Sequence, residues 1–194
     1  MTRLEHQLSF CRELDKLKNI LRQSLLMDAS RRENSAEHSW HLATMAMLLT
    51  EYAVAPVDVT LVLKMLLVHD VVEIDAGDTF AYDKVNLETQ HAREQQAADR
   101  LFGMLPSEQA SELRALWDEF EERQSAESKY ANALDRLQPL LQNFYSGGQS
   151  WKKHHVTHEQ VMKRMEPVKI GMPKVWPVVL QLIDDASKAG FVLY

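Results

Sequence analysis

A single cysteine, Cys11, in 194 residues rules out an internal disulfide and fits a reducing compartment. Its helical spacing from Leu4, Leu8 and Leu14 predicts a packed thiol rather than a catalytic one. Long apolar runs are missing too. The best of them, 59–72, is broken by Lys64 and is too short to span a bilayer, so no membrane partner is expected. The opening MTRLEHQL carries charge where a secretion signal needs an apolar core, and a cytoplasmic protein is expected. No long basic run occurs and the formal charge is −6. That disfavours a nucleic acid polymer as partner, because phosphate contacts supply most non-specific affinity. A small phosphate ester stays open, since one metal and one or two arginines can hold it whatever the net charge. Glycine numbers only six, and strand-like alternation is hard to find.

What is present is an apolar fraction of 45% and a charged fraction of 26%, the balance of an ordinary globular protein. The length supports one cored domain over 1–194 and is marginal for two. Apolar residues recur at three- and four-residue steps almost throughout, which predicts an all-α fold, a single compact helical domain. Leu4, Leu8, Cys11, Leu14, Leu17 and Leu21 mark a first helix. Asn34 with Glu37 three residues on reads as a capping box, opening a helix to about Ala53. Pro56 breaks it, and Asp58 can cap a third helix carrying Leu61, Met65, Val68 and Val72. The stretch 75–84, with Gly77 and several acids, reads as a loop. Helices follow over about 87–105, from the cap Ser107 through Phe120, and over about 127–145. Thr157 with Gln160 is a further capping box for a helix to about Val168, and Pro173 precedes a last one ending near Ala189.

The chemistry concentrates at His69-Asp70, an ionisable pair at the end of the most apolar helix, where an unpaired charge would be costly. Taken alone, a His-Asp dipeptide is best read as a satisfied core histidine beside a capping aspartate. It is not alone. His38 stands in the first turn of the preceding helix, and Asp135 lies between Leu134 and Leu137, where a core-facing residue is expected. Two imidazoles and two carboxylates suit one divalent ion such as Mn²⁺, Co²⁺, Mg²⁺ or Zn²⁺, and leave coordination positions open. Three helices joined by one ion is a natural bundle-core site. Glu73, three residues after Asp70, shares its helix face and is placed to act as general acid or base. Asp78 follows in the loop. By themselves Glu73 and Asp78 would fit a solvated helix end.

The set His38, His69-Asp70 and Asp135 resembles the H…HD…D signature of the HD-domain metal phosphohydrolases. The segments RRENSAEHSWH, HDVVEIDAGDTFAYD and LDRLQPLLQN, in that order, resemble the bacterial 5′-deoxynucleotidase-like branch of that superfamily, from about Leu17 to the end of the sixth helix. The resemblance implies a helical HD-type fold, one divalent metal and hydrolysis of a (deoxy)nucleoside 5′-monophosphate to nucleoside and phosphate. Carried over by residue, His38, His69, Asp70 and Asp135 are the metal ligands. Glu73 takes the place of the catalytic glutamate and Asp78 that of the GD-motif aspartate, with Thr79 beside it at the substrate. The family pattern also implies a homodimer, for which the aromatic tail 191–194 and the amphipathic last helix offer apolar surface. One departure concerns the substrate. The branch carries an Arg-Trp pair early in the chain, whereas LRQSLLMD here holds Arg22 and no tryptophan. Arg22 and Arg32 are the candidate phosphate contacts. Another phosphorylated metabolite or nucleotide, or a non-catalytic metal-stabilised binding module, are the alternatives. His41, one turn from His38, is expected behind the ligands or in packing. Trp40 is a candidate for the pocket wall. His91 is the lone histidine between His69 and Asp135, which favours one metal. His154, His155 and His158 are expected at the surface.

Overall fold

The computed structural model describes residues 1–82 and 84–193, with side chains everywhere except 84–88. Its axis is α7 (Ala126–Tyr145), a helix buried on nearly every face. Around it lie α2 (Ser35–Leu48), α3 (Val59–Val68), α6 (Ser107–Glu122) and α10 (Glu166–Gly171). Leu42, Met65, Leu66, Tyr130, Leu134, Leu140 and Val168 form the main core between them. A smaller cluster joins Phe10 of α1 (Arg3–Leu14) to Val71, Val72, Leu101, Phe102 and Trp117, which brings in α5 (Lys84–Phe102). Short helices α4 (Glu73–Ala76), α8 (Gln149–Lys153) and α9 (His158–Arg164), with the final α11 (Trp176–Lys188), complete the order. Among the described residues no helix is long and apolar enough to cross a membrane.

The caps follow the sequence chemistry. Asn34 and Thr157 each make a full capping box with Glu37 and Gln160, and the Asp58 carboxylate accepts from the Thr60 and Leu61 amides. Ser107 is instead the first residue of α6, behind Pro106. α10 approaches α7 so closely that a Cβ on Gly171 would lie 2.2 Å from the Lys129 carbonyl oxygen. The helix expected over 158–168 divides in two at Met165, between α9 and α10.

Three expectations are corrected. The first helix ends at Leu14, continues as a 3₁₀ turn over Asp15–Asn19, and gives way to a two-stranded antiparallel hairpin, β1 (Leu21–Leu25) and β2 (Arg32–Asn34). Leu21 is therefore a strand residue. Cys11 is exposed, as are Leu4 and Leu8, because α1 docks through Phe10 and Glu13 instead. Trp40 is 66% exposed on α2 and does not line the cavity at His69 and Asp70. The tail docks onto its own bundle: His158 N–H donates to Leu193 O, Leu193 N–H donates to Val156 O, and Val192 is buried. Tyr194, and Asp83 in the expected loop, lie outside the described residues.

Candidate metal centre

α3 carries a run of apolar residues into the core and stops at Val68. Beyond it the chain tightens into turns in which Val71 N–H reaches Val68 O and Glu73 N–H reaches Asp70 O, each at 3.0 Å. In such a three-residue turn, side chains at i and i+3 eclipse. Asp70 and Glu73 are thus held one above the other, on a turn rather than on the continuous helix expected from sequence. α2 contributes His38 from its first turn, and α7 contributes Asp135 from its buried middle. Pro139, four residues on, has no N–H to return to the Asp135 carbonyl, so α7 forgoes one helical bond at this point.

The two imidazoles are oriented alike. His38 Nδ1–H donates to Gln138 Oε1 at 3.1 Å, and His69 Nδ1–H donates to Leu66 O at 2.8 Å. Both Nε2 atoms are left facing one carboxylate oxygen, Asp135 Oδ1, at 3.0 Å from His38 and 3.8 Å from His69. Donor atoms of His38, His69 and Asp135 all lie within 4.8 Å of one another, in full burial. Asp70 stands at the edge of this group, Oδ1 at 3.0 Å from His69 Nε2 and Oδ2 at 3.9 Å from His38 Nε2. Despite that proximity His69 Nε2 is buried with no hydrogen-bond partner among the described residues. A buried imidazole nitrogen with no partner, aimed between carboxylates, fits a divalent cation. The second partner on each Nδ1 fixes the tautomer that such ligation requires.

Electrostatics define the rest of the site. Burial works against charge on His69, yet Asp70 and Asp135 outweigh it and hold its pKa up at about 9. Burial opposes the Asp135 carboxylate too, but Arg136 and both histidines hold it well below the usual range. Arg22, on β1, donates from Nη1 to Asp70 Oδ2 at 2.7 Å and stands 3.7 Å from Glu73 and 3.8 Å from Asp78. Glu73 is pushed well up, first by burial and then by Asp70, while Ser35 Oγ donates to its Oε2 at 2.5 Å. Burial likewise raises Asp78. Thr79 accepts from Arg93 Nη2 at 2.8 Å. Arg22, Asp70, Glu73, Asp78 and Thr79 line a cavity of about 280 Å³ that also takes in Gln90, Glu94 and Glu121. Burial lifts the Glu94 carboxyl there to about 7.

Most of the residues singled out from sequence therefore meet. His38, His69, Asp70, Asp135, Glu73, Asp78 and Arg22 share one buried network, and Thr79 lines its cavity. Arg32 is placed differently. Its Nε donates to Arg22 O and its Nη2 to Leu21 O, so its guanidinium clamps the hairpin that presents Arg22 instead of facing a substrate. His41 is behind the ligands, taking a hydrogen bond from Gln138 Nε2 at 3.2 Å. His154 and His155 are exposed, and His154 stacks on Phe80. Sequence reading missed Gln138 and Glu33. Gln138 also donates to Glu33 Oε1 at 2.7 Å, and Glu33 Oε2 lies 3.3 Å from His38 Nδ1. The available signal was position: Gln138 is three residues beyond Asp135 on the same face of α7, and Glu33 directly precedes the cap Asn34.

The HD domain family model matches residues 14–176. A solved structure described as a predicted metal-dependent phosphohydrolase from Magnetospirillum magnetotacticum MS-1 is 52% identical, with a TM-score of 0.94, covering 99% of this chain and 96% of that one. Human 5′-deoxynucleotidase HDDC2 is 31% identical over 136 residues, 70% of this chain and 65% of the human protein. The chain thus matches just under two thirds of that relative's length. An HD-domain phosphohydrolase from Listeria innocua, 17% identical with a TM-score of 0.63 over 93% of this chain and 97% of that one, shares the fold.

Proposed function

This chain belongs to the HD-domain family, and from that premise we propose that it is a metal-dependent phosphohydrolase acting on (deoxy)nucleoside 5′-monophosphates. The observation that carries the reading is the shared aim of His38 and His69, Nδ1 tied back and Nε2 forward onto Asp135 Oδ1, beside a cavity floored by Asp70, Glu73, Asp78 and Arg22. The names of the metal-dependent phosphohydrolase and the 5′-deoxynucleotidases that it resembles support the same chemistry. His38, His69, Asp70 and Asp135 hold one divalent ion. When bound, such an ion supplies Lewis acidity toward a phosphoryl oxygen and lowers the pKa of water.

The protein's own groups do the remainder. Arg22, locked in place by β1 and the Arg32 clamp, presents its guanidinium to the phosphoryl oxygens, where charge stabilisation dominates this reaction. Asp78 and Glu73 handle the protons. One takes a proton from the attacking water and the other returns one to the 5′-oxygen as the P–O bond breaks. Glu73, with its pKa driven up by burial and Asp70 and its Oε2 held by Ser35, is suited to donate. Thr79, held by Arg93, contacts the substrate. The protein is a single domain over 1–194 and works as a cytoplasmic homodimer. Exposed Val178 and Leu180 on α11 support the dimer, as does exposed Ile170 on α10.

The test is phosphate release from purified protein, with Mg²⁺, Mn²⁺, Co²⁺ and Zn²⁺ supplied separately. Turnover is expected from 5′-monophosphates, more from 2′-deoxy than from ribo forms, and little from 3′-monophosphates. Equal turnover of all phosphate esters removes the nucleotide assignment. No turnover with any metal replaces the enzyme with a binding module.

A further inference from the structure

Two arginines beside the metal centre have no acidic partner among the described residues. Arg123 ends α6 in a left-handed conformation (φ 55°) and Arg164 ends α9. Among the described residues no carboxylate oxygen lies within 4.0 Å of either guanidinium. Arg136, which bonds to Asp135 Oδ2, lines the same two cavities as both of them. One is the metal-site cavity. The other, of about 730 Å³, presents Arg123, Lys129, Arg136, Lys163 and Arg164 against two carboxylates among the described residues, Glu159 and Glu166. In a chain of net charge −6 this is a pronounced local excess of positive charge.

We infer that this arginine cluster is a second anion subsite, which binds a phosphate group carried by the substrate in addition to the one cleaved at the metal centre. The inference rests on the phosphohydrolase reading and extends its substrate from 5′-monophosphates to nucleotides phosphorylated at a second position, of which a nucleoside 3′,5′-bisphosphate is the simplest. Guanidinium forks match phosphate oxygens, and a partly buried pair is worth more than a solvated one. Arg136 is buried and Arg164 half-buried, where like charges held together are costly unless an anion joins them, while Arg123 and Lys163 are exposed. Burial, with Arg136 next in effect, drives Arg164 down to about 9. Because Arg123, Arg136 and Arg164 line both cavities, one small molecule can reach from the metal ligands to the arginines. The larger cavity, of about 730 Å³, is of the size that takes a nucleotide.

The experiment compares a 2′-deoxynucleoside 3′,5′-bisphosphate with the matching 5′-monophosphate on metal-loaded enzyme. The bisphosphate is expected to have a kcat/KM about tenfold higher or more. Arg164→Gln and Arg123→Gln should each pull that ratio toward one, and Arg164→Lys should restore part of it. A wild-type ratio near one, or a ratio that survives both glutamine variants, overturns the inference. Inorganic phosphate titrated calorimetrically into the wild type and Arg164→Gln separates a free anion from a substrate-borne one. Arg164-dependent phosphate binding with a ratio near one makes this a site for free phosphate and overturns the substrate-borne reading. If neither ester is cleaved with any metal, the hydrolase reading fails and binding decides the subsite. Tenfold tighter, Arg164-dependent binding of the bisphosphate over the monophosphate then supports it, and equal binding overturns it.

Discussion

Asp70 and Glu73 occupy eclipsed positions on one tight turn, yet they answer to different partners, and single substitutions should separate them. Asp70 approaches both imidazoles, so Asp70→Ala should lose metal and activity together. Glu73 is held by Ser35 at 2.5 Å and lies 3.7 Å from Arg22. Glu73→Gln keeps its size and hydrogen bond but cannot transfer a proton. It should retain metal while losing about 10²- to 10⁴-fold in rate, read by elemental analysis and steady-state kinetics on the same preparations. Near-normal rates would return Glu73 to an ordinary helix-end role. Gln138 tests the support behind the ligands. Replacing it with Leu leaves His38 Nδ1 and Glu33 without their shared partner and should weaken metal affinity by about 10- to 100-fold in a competition titration with a chelator. The charged candidates were legible because ionisable residues on apolar stretches need a reason. Gln138 was not, because a neutral amide in a helix raises no such question until its neighbours are known.

At the scale of elements, what sequence conveys depends on whether the cause is local. The boxes at Asn34 and Thr157 close within four residues, and the chain reports them directly. The hairpin does not, since LRQSL alternates weakly and its pairing partner REN has only three residues. Its register and the Arg32 clamp depend on tertiary contacts, as does the face by which α1 docks: Phe10 wins over the Leu4–Leu8–Cys11 stripe because Val71 and Trp117 are there to meet it. Gly171 is a similar case. Nothing in EPVKIG announces that its glycine lies under the Lys129 carbonyl, 2.2 Å from where a Cβ would be. Because the obstacle is backbone, Gly171→Ala should force α10 away from α7 and cost about 1–3 kcal/mol, measured as a lowered denaturant midpoint with an unchanged slope. A midpoint equal to wild type would mean that the two helices separate freely.

For the molecule as a whole, the proposed ion joins three segments that have no other reason to share charge. Asp70 and Asp135 are 65 positions apart (135 minus 70), and His38 is further still from Asp135. Metal that binds only the folded chain stabilises it by about 2.7 kcal/mol at a hundredfold excess over Kd. For a domain of this size that is on the order of 5–11 °C in Tm. Protons compete for the same atoms. In metal-free protein His69 is held up to about 9 against an ordinary value of 6.5. Its proton thus contributes stability that is full below pH 6.5 and is lost as pH rises through 9. The ion requires the neutral imidazole, so its contribution moves the opposite way. The difference in Tm between metal-loaded and chelated protein should therefore widen from pH 6.5 to pH 9, by differential scanning calorimetry in matched buffers. Asp135→Ala, which removes the oxygen both imidazoles face, should abolish the difference at every pH. A difference that narrows with rising pH would place the ion somewhere other than His69, and one that persists in Asp135→Ala would dissolve the link between α7 and the other two ligand-bearing segments.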